Sequence, residues 1–246
     1  MGPAAERVLC LAIAVVYARC RLMFAILLAF TAVMLVQALR LQPDAGYEKH
    51  IPLQHPYMQV FKKYEKAFGG ANLITIALIR EDGGTIYDTA FLEALRGATN
   101  DVFFLKGVDR SRVTSLFTPG VRYLEIVEGG FSGGDVVPRD YAPSPEMFEL
   151  IRANVAKAGI IGRLVSNDQR GAMFVAELLE KDPETGEPLD YARMTEGLEA
   201  LRAKYQKAGI GLHITGFAKV VGDVTDANQE VAAYFGVALV LTMLLL

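Results

Sequence analysis

The side chains with most to offer chemically are three histidines (His50, His55, His213), two cysteines (Cys10, Cys20) and a pair of aspartates (Asp223, Asp226). Imidazole is the common metal ligand and proton shuttle near neutral pH, but no two of these histidines have the helical spacing of a metalloprotease motif. His50 and His55 flank Pro52 in a loop-like stretch and read as surface residues. His213 lies in "IGLHITGF", a strand-like run. Both cysteines lie near the N-terminus, so the rest of the chain has neither a disulfide framework nor a thiolate metal site. "GGFSGGD" (129–135) is glycine-rich, yet no Lys-Ser/Thr pair follows and no helix opens after it, as a phosphate cradle requires. It reads as a flexible loop carrying Phe131 as an exposed or docking aromatic. "GDVTDAN" (222–228) sets Asp223 and Asp226 near the start of the final apolar helix. A cation site there is conceivable, but helix capping and dipole complementarity explain the same residues at less cost. No Gly-x-Ser-x-Gly nucleophile elbow occurs. The sequence designates no catalytic, cofactor-binding or metal-ligating residue, leaves substrate-binding residues open, and gives no reason to expect an enzyme.

The elements that would position any site fall into a pattern. "PYMQVFKKYEKAFGG" (56–70) spaces Tyr57, Val60, Phe61, Tyr64 and Phe68 as a helix does and stops at Gly69-Gly70. "NLITIALIRE" (72–81) is a buried strand turned by "EDGGT". Residues 87–105 form an amphipathic helix with Phe91, Leu92, Leu95, Val102 and Phe103 inward. "RVTSLFT" (112–118) is the next strand. Residues 121–145 are irregular, broken by glycines and prolines, and 145–159 is a helix stopped by Gly159. "IIGRLVS" and "GAMFVAELLE", separated by "NDQR", read as a hairpin. After a polar loop (181–190) come a long helix (191–209) and a last strand (210–217). With 119–170 set aside as an insertion, the order is strand, helix, strand, strand, helix, strand. That is the ferredoxin-like (split βαβ) order of the α+β class, with two helices on one face of an antiparallel sheet.

Two uncharged runs flank this domain. Leu22–Leu39 has 18 residues and Val231–Leu246 has 16. Crossing a hydrocarbon core takes about 20 helical residues. The first run, taken as 21–41, meets that length, and the second (227–246) is expected to be the opening part of another crossing that continues beyond it. All but four of the 25 Lys and Arg (Arg7, Arg19, Arg21, Arg40) and all but Glu6 of the 28 Asp and Glu lie in residues 42–230. That segment thus carries 21 cations against 27 anions, a net charge of −6, which argues against a nucleic-acid role. Arg7, Arg19 and Arg21 favour a cytoplasmic N-terminus (1–20) and an exported domain (42–226). "VLCLAIAVVYA" (8–18) is too short to cross and reads as an interfacial helix. A cleaved signal peptide fits less well, because no clean small-x-small site follows the long run.

"HPYMQVFKKYEKAFGGAN", "FFLKGVDRSRVTSLFTPGVRYLEIVEGGF", "AGIIGRLVSNDQRGAMFVAELLE" and "HITGFAKVVGDV" resemble the first exported loop of predicted RND-superfamily exporters of the MMPL-type branch. The resemblance covers nearly all of residues 20–246, including the order span, large loop, span. It implies a proton-driven inner-membrane transporter of about twelve spans. Its periplasmic porter domain would be built from ferredoxin-like units, and its substrates would be lipid-like or amphipathic. Its partners would be the lipid bilayer, that substrate and the remainder of the transporter chain, with homo-oligomers and periplasmic partners compatible with the class. The proton-relay acids of such proteins lie in later helices, so none is carried onto this sequence. The alternatives are a two-span, membrane-anchored sensing or scaffold domain and a secreted enzyme with a signal anchor.

Overall fold

The computed structural model describes residues 20–39, 52, 54–68, 72–182, 185–207 and 209–245. The interfacial segment 8–18, Cys10, His50, the Gly69-Gly70 stop and the end of the first expected crossing lie outside the described residues. Residues 1–44 and 45–246 form two separate compact units. In the first, α1 (Cys20–Leu39) is an apolar helix, and its side chains from Arg21 to Gln37 are all exposed.

The second unit is α+β. Its elements in order are α2 (Pro56–Phe68), β1 (Leu73–Arg80), α3 (Thr89–Phe103), a 3-10 turn (Arg110–Arg112), β2 (Arg122–Val127), β3 (Gly130–Asp135), α4 (Pro145–Ala158), β4 (Gly171–Glu177), α5 (Tyr191–Tyr205), β5 (Ile210–Gly216) and α6 (Phe217–Leu245). One sheet has the order β4-β1-β5, antiparallel throughout, with Ile76 opposite both Phe174 and Ile214. The other is the hairpin β2-β3.

Alternation explains why the larger sheet is covered on one side. Ile74, Ile76 and Leu78 of β1 are buried, whereas Thr75, Ala77 and Ile79 face the more open side. Against the buried face pack α3, through Phe91, Leu92, Leu95 and Val102, and α5, through Met194, Leu198 and Leu201. Helices α3, α4 and α5 each start where a side chain accepts a free backbone N–H: Asp88 from Phe91, Ser144 from Met147, Asp190 from Arg193. Helix α4 stops at Gly159, whose φ of 62° is left-handed.

Three expectations are corrected. Residues 112–118 are not a strand. Asp109 accepts from both the backbone and the hydroxyl of Ser111, which forms the 3-10 turn, and the Ser115 N–H bonds Thr118 Oγ1, which curls the chain again. What remains of pairing is a single antiparallel bridge, Thr114 to Val175 of β4. The chain does reverse at "NDQR", but the first arm, "IIGRLVS", is shorter than a strand: the N–H groups of Arg163, Leu164 and Val165 all bond the Ile160 carbonyl, and pairing with β4 is limited to the antiparallel Val165–Ala172 bridge, with Ser166 N–H on the Gly171 carbonyl and Met173 N–H on that of Leu164. "GGFSGGD" is strand β3 with its turn, not a flexible loop, because β2 supplies a full antiparallel partner.

Helix α6 also begins earlier than expected. β5 passes into it at Gly216, where φ is 142° and a Cβ would collide with the Leu73 carbonyl. Asp223 therefore lies in the second turn and pairs with Lys219, four residues before it, instead of capping the helix. Lys219 is buried and also meets Glu199 of α5 at 2.9 Å. The Asp226 side chain lies outside the described residues. At 29 residues, α6 is long and apolar enough to cross a membrane, and it is exposed from Val231 onward.

Candidate functional site

A concavity of about 620 Å³ opens beside α3. Its floor follows from helical spacing. Glu93, Arg96, Asn100 and Phe103 fall three or four residues apart along α3 and line the cleft, Phe103 packing against the core as well. One wall is the turn Phe117–Pro119 and the other is the segment from Asp135 to Tyr141. Both walls are held by buried polar contacts. Thr99 of α3 and Ser115 share a hydroxyl hydrogen bond of 2.8 Å, and both are buried. The Asn154 amide of α4 donates to the Val136 carbonyl at 3.1 Å, and the Val136 N–H to the Val121 carbonyl.

Aromatic rings line the cleft in edge-on pairs. Phe117 and Tyr141 meet at 5.5 Å and 81°, Phe103 and Phe104 at 5.5 Å and 75°. Both pairs are in the range that the ring quadrupoles favour. Arginines cover their faces. The Arg96 guanidinium is 5.8 Å from the Tyr141 centroid, and Arg110 is 5.4 Å from that of Phe104.

The polar groups are unevenly satisfied. Arg96 approaches Glu93 at 3.7 Å, with both side chains about half exposed. Asp135 is shared by two arginines, Arg139 at 3.2 Å and Arg122 at 3.6 Å. The Tyr141 hydroxyl is buried and, among the described residues, has no hydrogen-bond partner. Burial, reinforced by Glu93 and opposed by Arg96, pushes its pKa up to about 12. It is therefore a neutral donor throughout the physiological range. This combination of rings, guanidiniums and one unused hydroxyl suits binding of an amphipathic molecule.

The residues singled out in the sequence are elsewhere. His55 is exposed at the start of α2, its ring 5.3 Å from Tyr57. His213 is exposed on β5, opposite Ala77. Phe131 is exposed on the outer face of the β2-β3 hairpin with Leu124 and Ile126. Among the described residues no group of three or more His, Cys, Asp or Glu is arranged to hold a metal ion. The cleft was missed because two of its three sides come from residues 117–141, which lack periodicity. The polar side of α3 was the one signal available.

Comparison with protein-family models and with curated proteins finds no match for this chain.

Proposed function

We propose that this chain supplies the first membrane helix and the first exported, porter-type domain of an RND-superfamily exporter of the MMPL-type branch, a proton-driven inner-membrane transporter of lipid-like or amphipathic substrates. The observation that carries the proposal is the sheet order. β5-β1-β4, extended by the Thr114 bridge beyond β4, is antiparallel at every step, with α3 and α5 on one face. That order supports a ferredoxin-like unit in which residues 119–170 are an insertion. The unit stands in sequence between an apolar helix and a helix of spanning length, as the resemblance requires. In this reading α1 and α6 cross the inner membrane, residues 42–226 are periplasmic, and the aromatic cleft handles substrate.

Two experiments test it. An alkaline phosphatase fusion near residue 150 is expected to be active, whereas a fusion near residue 5 is not; the reverse pattern overturns the orientation. The reading frame downstream of Leu246 is expected to encode further hydrophobic helices and a second large loop. Without them, a membrane-anchored scaffold is the better account. The exposed apolar face of the hairpin, with Ile126 85% and Phe131 75% accessible, favours that second reading.

A further inference from the structure

The cleft is more selective than a generic apolar groove. Its rings provide apolar contact, but two of the ring faces already carry a guanidinium, Arg96 over Tyr141 and Arg110 over Phe104. A cationic ligand would have to displace them and would meet their charge. The carboxylates are the more engaged partners. The Asp135 side chain is 20% exposed and faces two arginines, while Arg139 is 85% exposed. A guanidinium has five N–H donors in a planar fork, so sharing one carboxylate leaves Arg139 with donors directed to solvent. Arg96 is in the same position, 55% exposed and only loosely approached by Glu93. The cleft lining also includes Tyr141, whose hydroxyl is buried and, among the described residues, without a hydrogen-bond partner. At about 620 Å³ the volume suits a small amphiphile.

We infer that this cleft binds an amphiphile with a small anionic head, phosphate or carboxylate in type. The head lies between Arg96 and Arg139 and the apolar part lies against Phe104 and Phe117. The choice of an anion follows from geometry: bidentate guanidinium contacts to an oxyanion are short and charge-assisted, and the neighbouring acids do not saturate these two side chains. The inference rests on the substrate-handling reading of the domain, but the two fail separately. A cleft that prefers no anion leaves the exporter reading standing if the downstream helices are present. Anion binding in a chain without those helices leaves the site standing.

The sequence contains no tryptophan, so Phe104→Trp gives a single fluorescent reporter at an exposed position of the cleft. The full chain in phosphatidylcholine nanodiscs is titrated with octyl phosphate, octyltrimethylammonium and octyl glucoside below their micellar concentrations, and with inorganic phosphate. Octyl phosphate is expected to shift the emission saturably, with at least tenfold higher affinity than the other two amphiphiles. Arg96→Gln is expected to weaken it about tenfold, and Arg96→Gln with Arg139→Gln to bring it level with octyl glucoside. A Phe131→Trp reporter on the hairpin is expected to stay silent. Equal response to all three amphiphiles, preference for the ammonium, inorganic phosphate binding as tightly as octyl phosphate, or unchanged affinity in the arginine variants would each overturn the inference. Calorimetric titration of the unsubstituted chain with octyl phosphate repeats the measurement without the reporter.

Discussion

At the scale of single residues, Tyr141 and Ser115 have consequences out of proportion to their size. The Tyr141 phenol is neutral in the fold up to about pH 12, whereas an unfolded tyrosine ionises near pH 10. A raised folded pKa means that the unfolded chain releases its proton first. Stability from this group is therefore complete below about pH 10 and is lost as pH rises toward 12. Tyr141→Phe is expected to flatten the alkaline fall in melting temperature between those values, measured against the unsubstituted chain. Ser115 closes the contact that fixes one wall of the cleft to α3. Ser115→Ala leaves the buried Thr99 hydroxyl without its partner and is expected to cost about 1–3 kcal/mol, read as a lower midpoint of chemical denaturation. Neither role is legible in the sequence. A serine in "RVTSLFT" looks like a strand residue until Thr99, sixteen positions earlier, is seen beside it.

At the scale of elements, what the sequence discloses follows the range of the forces. β1, α3, α4, α5 and β5 are found within a few residues of where periodicity sets them, because each is amphipathic or uniformly apolar over its own length and carries its own start or stop signal. β3 is hidden because "GFSGGD" has no strand propensity of its own. It is made by its partner: Tyr123 and Leu124 of β2 lie over Gly134 and Gly133, where a Cβ would be 3.3 Å from the Tyr123 ring and 2.8 Å from its carbonyl oxygen. Close approach also sets the crossing of α5 and α6. A Cβ at Gly222 would overlap the buried Thr195 side chain. Gly222→Ala is expected to destabilise the domain by about 1–3 kcal/mol through overpacking. Adding Thr195→Ala should recover most of that loss in a double-mutant cycle; additive losses would mean that the two helices do not meet there.

At the scale of the molecule, the charge pattern and the helices can be tested together. Val224 and Val240 are both exposed on α6 and separated by sixteen residues, about 24 Å along the axis. In a chain with Cys10 and Cys20 replaced by serine, Val224→Cys is expected to react with a membrane-impermeant maleimide in intact cells and Val240→Cys to resist it. Equal labelling would argue that α6 does not enter a bilayer. The general organisation, an apolar helix followed by an acidic α+β domain and a second apolar helix, could be read from composition because it rests on sums over many residues. The cleft could not, since it is assembled by folding 117–141 back onto α3.

The corner at Gly216 gives the molecule a mechanical property. β5 and α6 share no intervening loop, and the Lys219 ion pairs with Glu199 and Asp223 stiffen the first turns after the corner. α6 is then a rod of about 43 Å fixed at one end to a sheet strand. A rotation of that strand by about 5° would sweep the far end of the rod through about 4 Å, taking the helix as rigid over its length. Small adjustments of the sheet therefore reach the distant end of the helix as leverage, without a slack linker to absorb them.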